Sequence, residues 1–410
     1  MKIHTPLLST VLLLTALGLT SCTVPEVADP AAPSQSGHDG ADSLARLVLA
    51  SESGVTVRDS ADGNELASFP LGTSPFLTPL GESDEIVVTD MTSGNSWVVH
   101  AGLEMVSHGD HEDLQVTEPS ASPVVASGNT PTHVEYANGK VAIFYDGDGA
   151  AQVFTKQSLT SDAPEPFLTH TASVPHHGVA VPRFAGILMT VPGGETASGV
   201  ASYSDEGVLA STFDTCPALH GAAILESEVV FGCGDGLLVV GDDGNSEKIS
   251  YPGQDERRVG SFAHPAELDA NLLLSRYGPS DSTAVLITKL STAESQIVEV
   301  GAAYRAMVDL GEGVGAVLTV DGNLVMIDLA EGQVIQTVHV VAPWEIPSGH
   351  GGVTPQLAVT TESIYITDPS NEQVVEYSRS GEQELRVIEV GVIPTAIVAV
   401  APEGDTHAHS

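Results

Sequence analysis

Four histidines recur along this chain at an almost constant interval. They are His133, His177, His220 and His264, and successive members are separated by 44, 43 and 44 residues. Imidazole is a preferred ligand of zinc and its neighbours in the transition series, and zinc takes about four ligands drawn from His, Asp, Glu and Cys. If the four rings meet, they can form a zinc site, although copper or nickel could compete for the same nitrogens.

The histidine interval matches the length of a structural repeat. One blade of a β-propeller takes roughly 40 to 45 residues, and equivalent positions of successive blades face one axial channel. The segment Pro394-Thr-Ala-Ile copies the Pro131-Thr-His-Val motif but carries Ala396 at the histidine position. Since the repeat does not need histidine there, we interpret the four histidines as ligands, the alternative being unrelated histidines hydrogen-bonded to the backbone.

Two residues beside these histidines are further candidates. His176 precedes His177, and because neighbouring residues of a strand point to opposite faces, only one of them is expected to face the channel. The register with His220 favours His177, and His176 is kept as a second candidate. Glu135 points the same way as His133 and could bind the metal, orient a ligand, or simply line a wet channel.

A second cluster of metal-binding residue types lies in His108-Gly-Asp-His-Glu-Asp113. Two imidazoles and several carboxylates on a long loop between the second and third blades predict a metal-capture site formed by His108, Asp110, His111 and Asp113. The alternative is a solvated polar loop. His350 and the histidines of the C-terminal tail are weaker candidates.

The elements that would position these residues are all β-strands. Short runs rich in Val, Ile, Leu and Thr alternate with clusters of Gly, Asp, Asn and Ser, and no segment has a helical period. The units predict one propeller of about eight blades over residues 43–402, with seven left open. The strand from Pro394 should complete a blade whose other strands come from Ala45 to Pro70, which closes the ring. Residues 403–410 are expected to form a flexible tail.

The N-terminus has the pattern of an export signal. Lys2 precedes an apolar stretch that is too short to span a membrane comfortably and ends in Leu-Thr-Ser-Cys22, which resembles the bacterial lipobox. Residues 1–21 are therefore predicted to be a lipoprotein signal peptide, and Cys22 the lipidated N-terminus of the mature protein. Residues 22–42 are predicted to be a disordered tether. A soluble export signal with an incidental cysteine is the alternative.

The two remaining cysteines, Cys216 and Cys233, favour a disulfide in an exported protein. It would join adjacent antiparallel strands and hold His220 in position. Two metal-binding thiolates are the weaker alternative.

The charge balance excludes one class of partner. The chain has 14 Lys and Arg against 54 Asp and Glu, a formal net charge of −40. A nucleic-acid partner needs a basic face, so none is expected.

These motifs together resemble the zinc metallochaperone family that serves the Azt-type zinc ABC transporter. The resemblance rests on His108-Gly-Asp-His111, Pro131-Thr-His-Val, Phe144-Tyr-Asp-Gly-Asp-Gly149, Pro175-His-His-Gly and Cys216-Pro-Ala-Leu-His-Gly221. It implies an exported zinc-binding β-propeller that is not an enzyme, and the lipobox-like segment at Cys22 adds the expectation of a lipid anchor at the outer face of the cytoplasmic membrane. It also implies that zinc is delivered to the substrate-binding protein of the transporter.

Two other functions stay open at this point. A zinc hydrolase or lactonase on a propeller would need an open metal position and a base such as Glu135. A metal-free lipoprotein scaffold would instead use its blade loops for partners, and its histidines would not converge.

Overall fold

Runs of Val, Ile and Leu bounded by glycine-containing turns form the strands of this protein. The computed structural model describes residues 44–107, 112–194, 196–253, 257–347 and 352–402. Nearly all regular structure in these residues is β, and eight antiparallel sheets form an eight-bladed propeller. The predicted all-β propeller is confirmed, and the count is eight blades.

Seven blades are continuous in sequence, and the first is completed by the last strand of the chain. Numbered in chain order, the blades contain these strands: blade 1, β1 (Arg46–Ser51), β2 (Gly54–Asp59), β3 (Glu65–Phe69) and β35 (Ala396–Val400); blade 2, β4 (Phe76–Pro79), β5 (Glu85–Asp90), β6 (Asn95–His100), β9 (Ser120–Ala121) and β10 (Ala126–Ser127); blade 3, β11 (Pro131–Ala137), β12 (Lys140–Tyr145), β13 (Ala150–Thr155) and β14 (Leu168–Thr171); blade 4, β15 (Ala180–Arg183), β16 (Gly186–Pro192), β17 (Ala197–Tyr203) and β18 (Leu209–Phe213); blade 5, β19 (Ala222–Ile224), β20 (Glu228–Cys233), β21 (Gly236–Gly241) and β22 (Ser246–Ile249); blade 6, β23 (Val259–Phe262), β24 (Leu272–Tyr277), β25 (Ala284–Lys289) and β26 (Glu294–Glu299); blade 7, β27 (Tyr304–Asp309), β28 (Val314–Thr319), β29 (Asn323–Asp328) and β30 (Gln333–His339); blade 8, β31 (Leu357–Val359), β32 (Ser363–Asp368), β33 (Gln373–Ser378) and β34 (Glu384–Glu389).

The ring closes as the sequence predicts. β35 pairs with β1 in an antiparallel register that places Ala396 opposite Ala50 and Val400 opposite Arg46. The inner strand of blade 1 therefore comes from the C-terminal part of the propeller and its other strands from the N-terminal part.

The core lies between the faces of neighbouring blades. Leu47 and Leu49 of blade 1, for example, are fully buried in one cluster with Tyr365 and Val374 of blade 8. Such packing couples each blade to the next and fixes where the start of each inner strand lies around the channel.

A hairpin interrupts blade 2. It consists of β7 (Leu103–Ser107) and β8 (Glu112–Val116), which pair with each other. Leu103 and Leu114 anchor it in the core between blades 1 and 2. The segment expected to be a long loop therefore has a paired stem, whose tip lies outside the described residues.

Helices are a minor component. The described chain contains a single-turn helix α1 (Lys156–Leu159), capped by the hydroxyl of Thr155, and a 3-10 turn at Leu290–Thr292. No helix in the described residues has the length and apolar character needed to cross a membrane.

Candidate metal site

Three of the four recurring histidines meet at one end of the propeller channel. His133 lies on β11, whereas His177 and His220 precede β15 and β19, so the three come from consecutive blades. The Nε2 atoms of His133 and His177 are 3.4 Å apart. The ring centroids of His177 and His220 are 5.3 Å apart.

Backbone contacts position two of the histidines, His133 and His220. A register shift in β11 between Pro131 and His133 sets the position of the first ring. The amide of His220 donates to the carbonyl of Gly232 at 2.9 Å, which pairs the segment before β19 with β20.

Asp146 holds the ring of His177. Its Oδ2 accepts a hydrogen bond from Nδ1 of His177 at 2.6 Å, and its Oδ1 accepts one from the Thr132 hydroxyl at 2.5 Å. A carboxylate behind a histidine fixes the tautomer and raises the basicity of the opposite nitrogen, an arrangement common behind metal-bound histidines. His177 therefore presents Nε2 to the cavity.

His220 is fixed in the same tautomer. Its Nδ1 donates to the carbonyl of Gly260 at 2.7 Å. A carbonyl can only accept, so the proton resides on Nδ1 and the Nε2 lone pair is left for a ligand.

The proton states of the three rings suit cation binding. Burial, together with the charge of neighbouring His177, lowers the pKa of His133 and of His220 to about 4. The hydrogen bond to Asp146 raises the pKa of His177. Burial works against ionisation of Asp146, yet the hydrogen bonds from His177 and Thr132 hold the pKa of its carboxyl below the ordinary value. At neutral pH two imidazoles are neutral and the third is polarised by a carboxylate.

The rings border a small cavity of about 20 Å³ that Glu135, Val179 and Leu219 also line. A space of this size takes one water molecule or one ion. Burial raises the pKa of the Glu135 carboxyl to about 8, so this side chain is mainly protonated at neutral pH.

Two of the three histidines are already spaced as ligands of one zinc ion, and the third is not. Two ligands of one tetrahedral zinc ion, each about 2.0 to 2.1 Å from the metal, lie about 3.3 to 3.4 Å apart. The His133 and His177 nitrogens match that separation. As the side chains stand, no group of three or more His, Cys, Asp or Glu within the described ranges is arranged to hold a metal ion. His220 would have to turn or shift its ring to become the third ligand.

His264 lies elsewhere. It follows the inner strand β23 instead of preceding it, and it is not among the residues that line the cavity. Inner strands of a propeller run in the same direction along the axis, so residues before and after such strands lie towards opposite ends of the channel. Burial lowers the pKa of His264, and the negative charge of Asp309 opposes this effect.

His176 points into blade 4. Its side chain is 7% exposed, and its Nε2 lies 3.1 Å from the hydroxyl of Thr190. Its Nδ1 lies 3.2 Å from the carbonyl of Val174, and the ring packs edge-on against Phe144. The structure thus turns His177 to the cavity and His176 to the core, which is the choice that the register with His220 favoured.

The second predicted cluster is only partly described. His108, Asp110 and His111 lie outside the described residues, as do His350, Cys22 and the C-terminal tail. Asp113 is half-buried on β8, in register with Val106.

The predicted disulfide is confirmed. Cys216 and Cys233 are bonded, with their Cα atoms 4.8 Å apart. The bond ties the segment that leads to His220 to the end of β20.

Sequence reasoning missed the role of Asp146 and Thr132. Asp146 lies in the Phe144–Gly149 motif at the end of β12, and Thr132 is the neighbour of His133. The signal was an acidic residue directly after a strand in the blade that carries His133, but its partner His177 lies 31 residues away and in another blade.

A known zinc-handling protein is similar to this chain in sequence. No family model matches the chain. The zinc chaperone AztD of Citrobacter koseri is 25% identical over 367 residues, which cover 86% of this chain and 85% of that protein. This chain is similar to a zinc chaperone. The resemblance predicted from the motifs is confirmed.

Solved structures of AztD have the same fold. The crystal structure of Citrobacter koseri AztD matches with a TM-score of 0.81 at 24% identity. The match covers 89% of this chain and 100% of the AztD chain. The structure of apo AztD from the same organism matches with a TM-score of 0.78 at 22% identity. This match covers 87% of this chain and 98% of the AztD chain. AztD is thus a structural as well as a sequence relative, and its name is that of a chaperone and not of an enzyme.

Proposed function

We propose that this protein is an extracytoplasmic zinc carrier that binds one zinc ion through Nε2 of His133, His177 and His220. The observation that carries the proposal is the meeting of three imidazoles at one small cavity, two of them at the separation of zinc ligands. The similarity to AztD supports zinc as the metal.

The fourth position is proposed for Glu135 or a water molecule. Glu135 lines the same cavity, and a cation there favours its ionised form. His264 is not proposed for this shell because it follows its strand.

A carrier must also release its metal. The proton that Asp146 stabilises on His177 competes with zinc for that imidazole, so the site exchanges zinc for protons. We propose that the acceptor is the substrate-binding protein of a zinc ABC transporter. His108, Asp110, His111 and Asp113 are proposed to assist capture or transfer of the ion.

Attachment to the membrane is proposed from the sequence. Lipid on Cys22 would place the propeller at the outer face of the cytoplasmic membrane, with residues 22–42 as the tether. A Cys22→Ala variant should move from the detergent phase to the aqueous phase on detergent partition. If both forms partition alike, the anchor is wrong.

The geometry argues against the two other functions. A hydrolase needs a substrate cleft beside its metal, whereas this cavity of about 20 Å³ has room for one ion or one water molecule and for no substrate. A metal-free scaffold gives no reason for three neutral or polarised imidazoles to share one cavity.

Zinc stoichiometry tests the proposal. The unchanged protein should bind one zinc ion tightly in the channel, whereas His177→Ala and His220→Ala should each lose that ion in equilibrium dialysis. His339→Ala, which changes an exposed histidine of blade 7, is the matched control and should retain it. If the two site variants keep the stoichiometry of the control, the channel is not the carrier site.

Transfer is measured separately. Zinc-loaded protein is mixed with the metal-free substrate-binding protein in the presence of a chelator that captures any released ion. Direct delivery predicts that the acceptor gains zinc faster than the chelator does. If all zinc passes through the chelator, the carrier role is wrong even if the site is right.

A further inference from the structure

Three arginines lie beside the histidine cavity, at the same end of the channel. Arg258 precedes β23, Arg276 is on β24 and Arg305 is the second residue of β27, so blades 6 and 7 supply them. All three side chains are half-buried. The chain has only 14 Lys and Arg in total.

Arg276 lies within electrostatic range of the other two arginines. Burial and then the positive charges of Arg305 and Arg258 lower the pKa of Arg276. Arg258 lies directly across the blade from the end of β24, because its carbonyl accepts a hydrogen bond from the amide of Gly278 at 2.9 Å.

The arginine cluster is continuous with the histidine cavity through Gly260. The guanidinium of Arg276 covers this glycine so closely that a Cβ there would be 2.9 Å from Nη2. The carbonyl of the same glycine accepts the hydrogen bond from His220. The charges of Arg258 and Arg276 both act on His220.

The cluster has no carboxylate partner in the described part of the chain. Other buried arginines are paired, Arg58 with Glu65 and Arg183 with Asp242, but no ion pair within 4.0 Å joins Arg258, Arg276 or Arg305 to an acidic residue. The Nε of Arg276 is buried and makes no hydrogen bond. Glu299, the acidic residue that acts on neighbouring Tyr304, is paired with Arg257.

Neighbouring guanidinium groups with no carboxylate paired to them among the described residues cost folding free energy, so their arrangement needs another explanation. Guanidinium groups bind oxyanions through paired N–H donors, and three of them offset the charge of a dianion. We propose that Arg258, Arg276 and Arg305 form a binding site for a small tetrahedral oxyanion of the sulfate or phosphate type.

The site should be coupled to the metal site, an extension that rests on the proposed zinc function. Without an anion, the arginines repel a cation held by His220. A bound dianion cancels this repulsion, so zinc and the oxyanion should each raise the affinity for the other by the same factor.

Anion binding is tested on metal-free protein, which makes the result independent of zinc. Sodium sulfate is titrated while sodium chloride keeps the ionic strength constant, and the unfolding temperature and calorimetric heat are recorded. We expect saturable stabilisation by sulfate, at least about tenfold weaker binding for Arg276→Gln, and unchanged binding for Lys289→Gln, an exposed cation of the same blade.

Arg276→Gln should fold, because it removes a half-buried charge that has no carboxylate partner among the residues that the structure describes. Its unfolding temperature in chloride should equal or exceed that of the unchanged protein. Absence of a saturable sulfate response overturns the proposal, and so does equal binding by the Arg276→Gln variant. Tighter binding of acetate than of sulfate overturns the preference for a tetrahedral dianion.

The coupling is tested by zinc titration in sulfate and in chloride. We expect severalfold tighter zinc binding in sulfate and no such difference for Arg276→Gln. Equal zinc affinity in the two salts overturns the coupling alone. Failure to bind zinc in either salt overturns the proposed function, while the anion result on metal-free protein stands separately.

Discussion

Asp146 determines how His177 presents itself to the cavity. The carboxylate accepts from Nδ1 at 2.6 Å, which orients the ring and raises its pKa. We expect Asp146→Asn to lower zinc affinity by about 10- to 100-fold while one site remains, since removal of such a carboxylate has an effect of this size. A competition titration against a zinc indicator measures the change.

Asp148→Asn is the control for this variant. Asp148 is in the same turn but accepts from the amide of Asn129 and not from a histidine. If both variants lose the same zinc affinity, the effect comes from disturbing the turn and not from the carboxylate that contacts His177.

The pH dependence of zinc affinity follows from the same contact. The pKa values of His133 and His220 are about 4, whereas that of His177 is raised above 6.5, so His177 is the first ring to take a proton as the pH falls. Zinc affinity should therefore decrease below the raised pKa of His177. In Asp146→Asn this decrease should begin at a lower pH. A midpoint that stays in place would contradict the assignment of the competing proton.

Glu135 should release a proton when zinc binds. The pKa of its carboxyl is about 8, so it is mainly protonated at pH 7, and a cation in the cavity favours the carboxylate. We expect Glu135→Gln to release fewer protons than the unchanged protein, by up to about one per zinc ion. Calorimetry in buffers of different ionisation enthalpy gives this number. Glu294→Gln, a change at an exposed glutamate, should release as many protons as the unchanged protein. If Glu135→Gln also releases that number, Glu135 lines the cavity without binding zinc.

At the scale of single elements, the disulfide fixes the segment before β19. It links Cys216 and Cys233 across a sequence separation of 17. A Cys216→Ala, Cys233→Ala double variant should lose about 3 kcal/mol of unfolding free energy, the value expected for a loop of this length. Denaturant unfolding measures the loss.

The same double variant should also bind zinc more weakly, because His220 loses one of its constraints. Reduction of the unchanged protein should reproduce both effects. If stability falls and zinc affinity does not, the disulfide serves the fold alone.

Sequence spacing predicted that each repeat contains an inner strand, but not where that strand begins relative to the histidine. His220 and His264 are 44 residues apart, yet one precedes its strand and the other follows it. The connection from β23 to β24 spans residues 263–271, whereas that from β19 to β20 spans 225–227, so β23 begins earlier in its repeat. An equal interval is therefore compatible with opposite ends of the channel.

Contacts between blades were beyond the reach of the repeat pattern. Asp146 and His177 belong to neighbouring units, and Arg276 and His220 meet through the backbone of Gly260. A single sequence gives the order of blades but not which side chains at their entrances touch.

At the scale of the whole molecule, the ring depends on its last strand. β35 supplies the inner strand of blade 1, and its pairing with β1 leaves no open edge between the termini of the propeller. A chain that ends at Gly391 should fail to fold cooperatively, whereas one that ends at Pro402 should melt like the full chain. Thermal unfolding followed by circular dichroism distinguishes the two. Cooperative melting of the shorter chain would contradict closure as the source of stability.

The ring as a whole was predictable because its signals are local and repeated. Alternation of apolar runs with turns predicted the strands, and Pro394-Thr-Ala-Ile, which matches Pro131-Thr-His-Val, predicted the closing strand. The net charge of −40 predicted the absence of a nucleic-acid partner but gave no hint that three arginines share one rim of the channel.

Three histidines of adjacent blades are proposed to hold one zinc ion. Anomalous diffraction at the zinc edge, from crystals of the zinc-loaded protein, locates the metal directly. We expect a peak about 2.0 to 2.1 Å from Nε2 of His133, His177 and His220, with the His220 ring moved to complete the set. A zinc peak elsewhere, with these three nitrogens still unligated, would contradict the proposed zinc site.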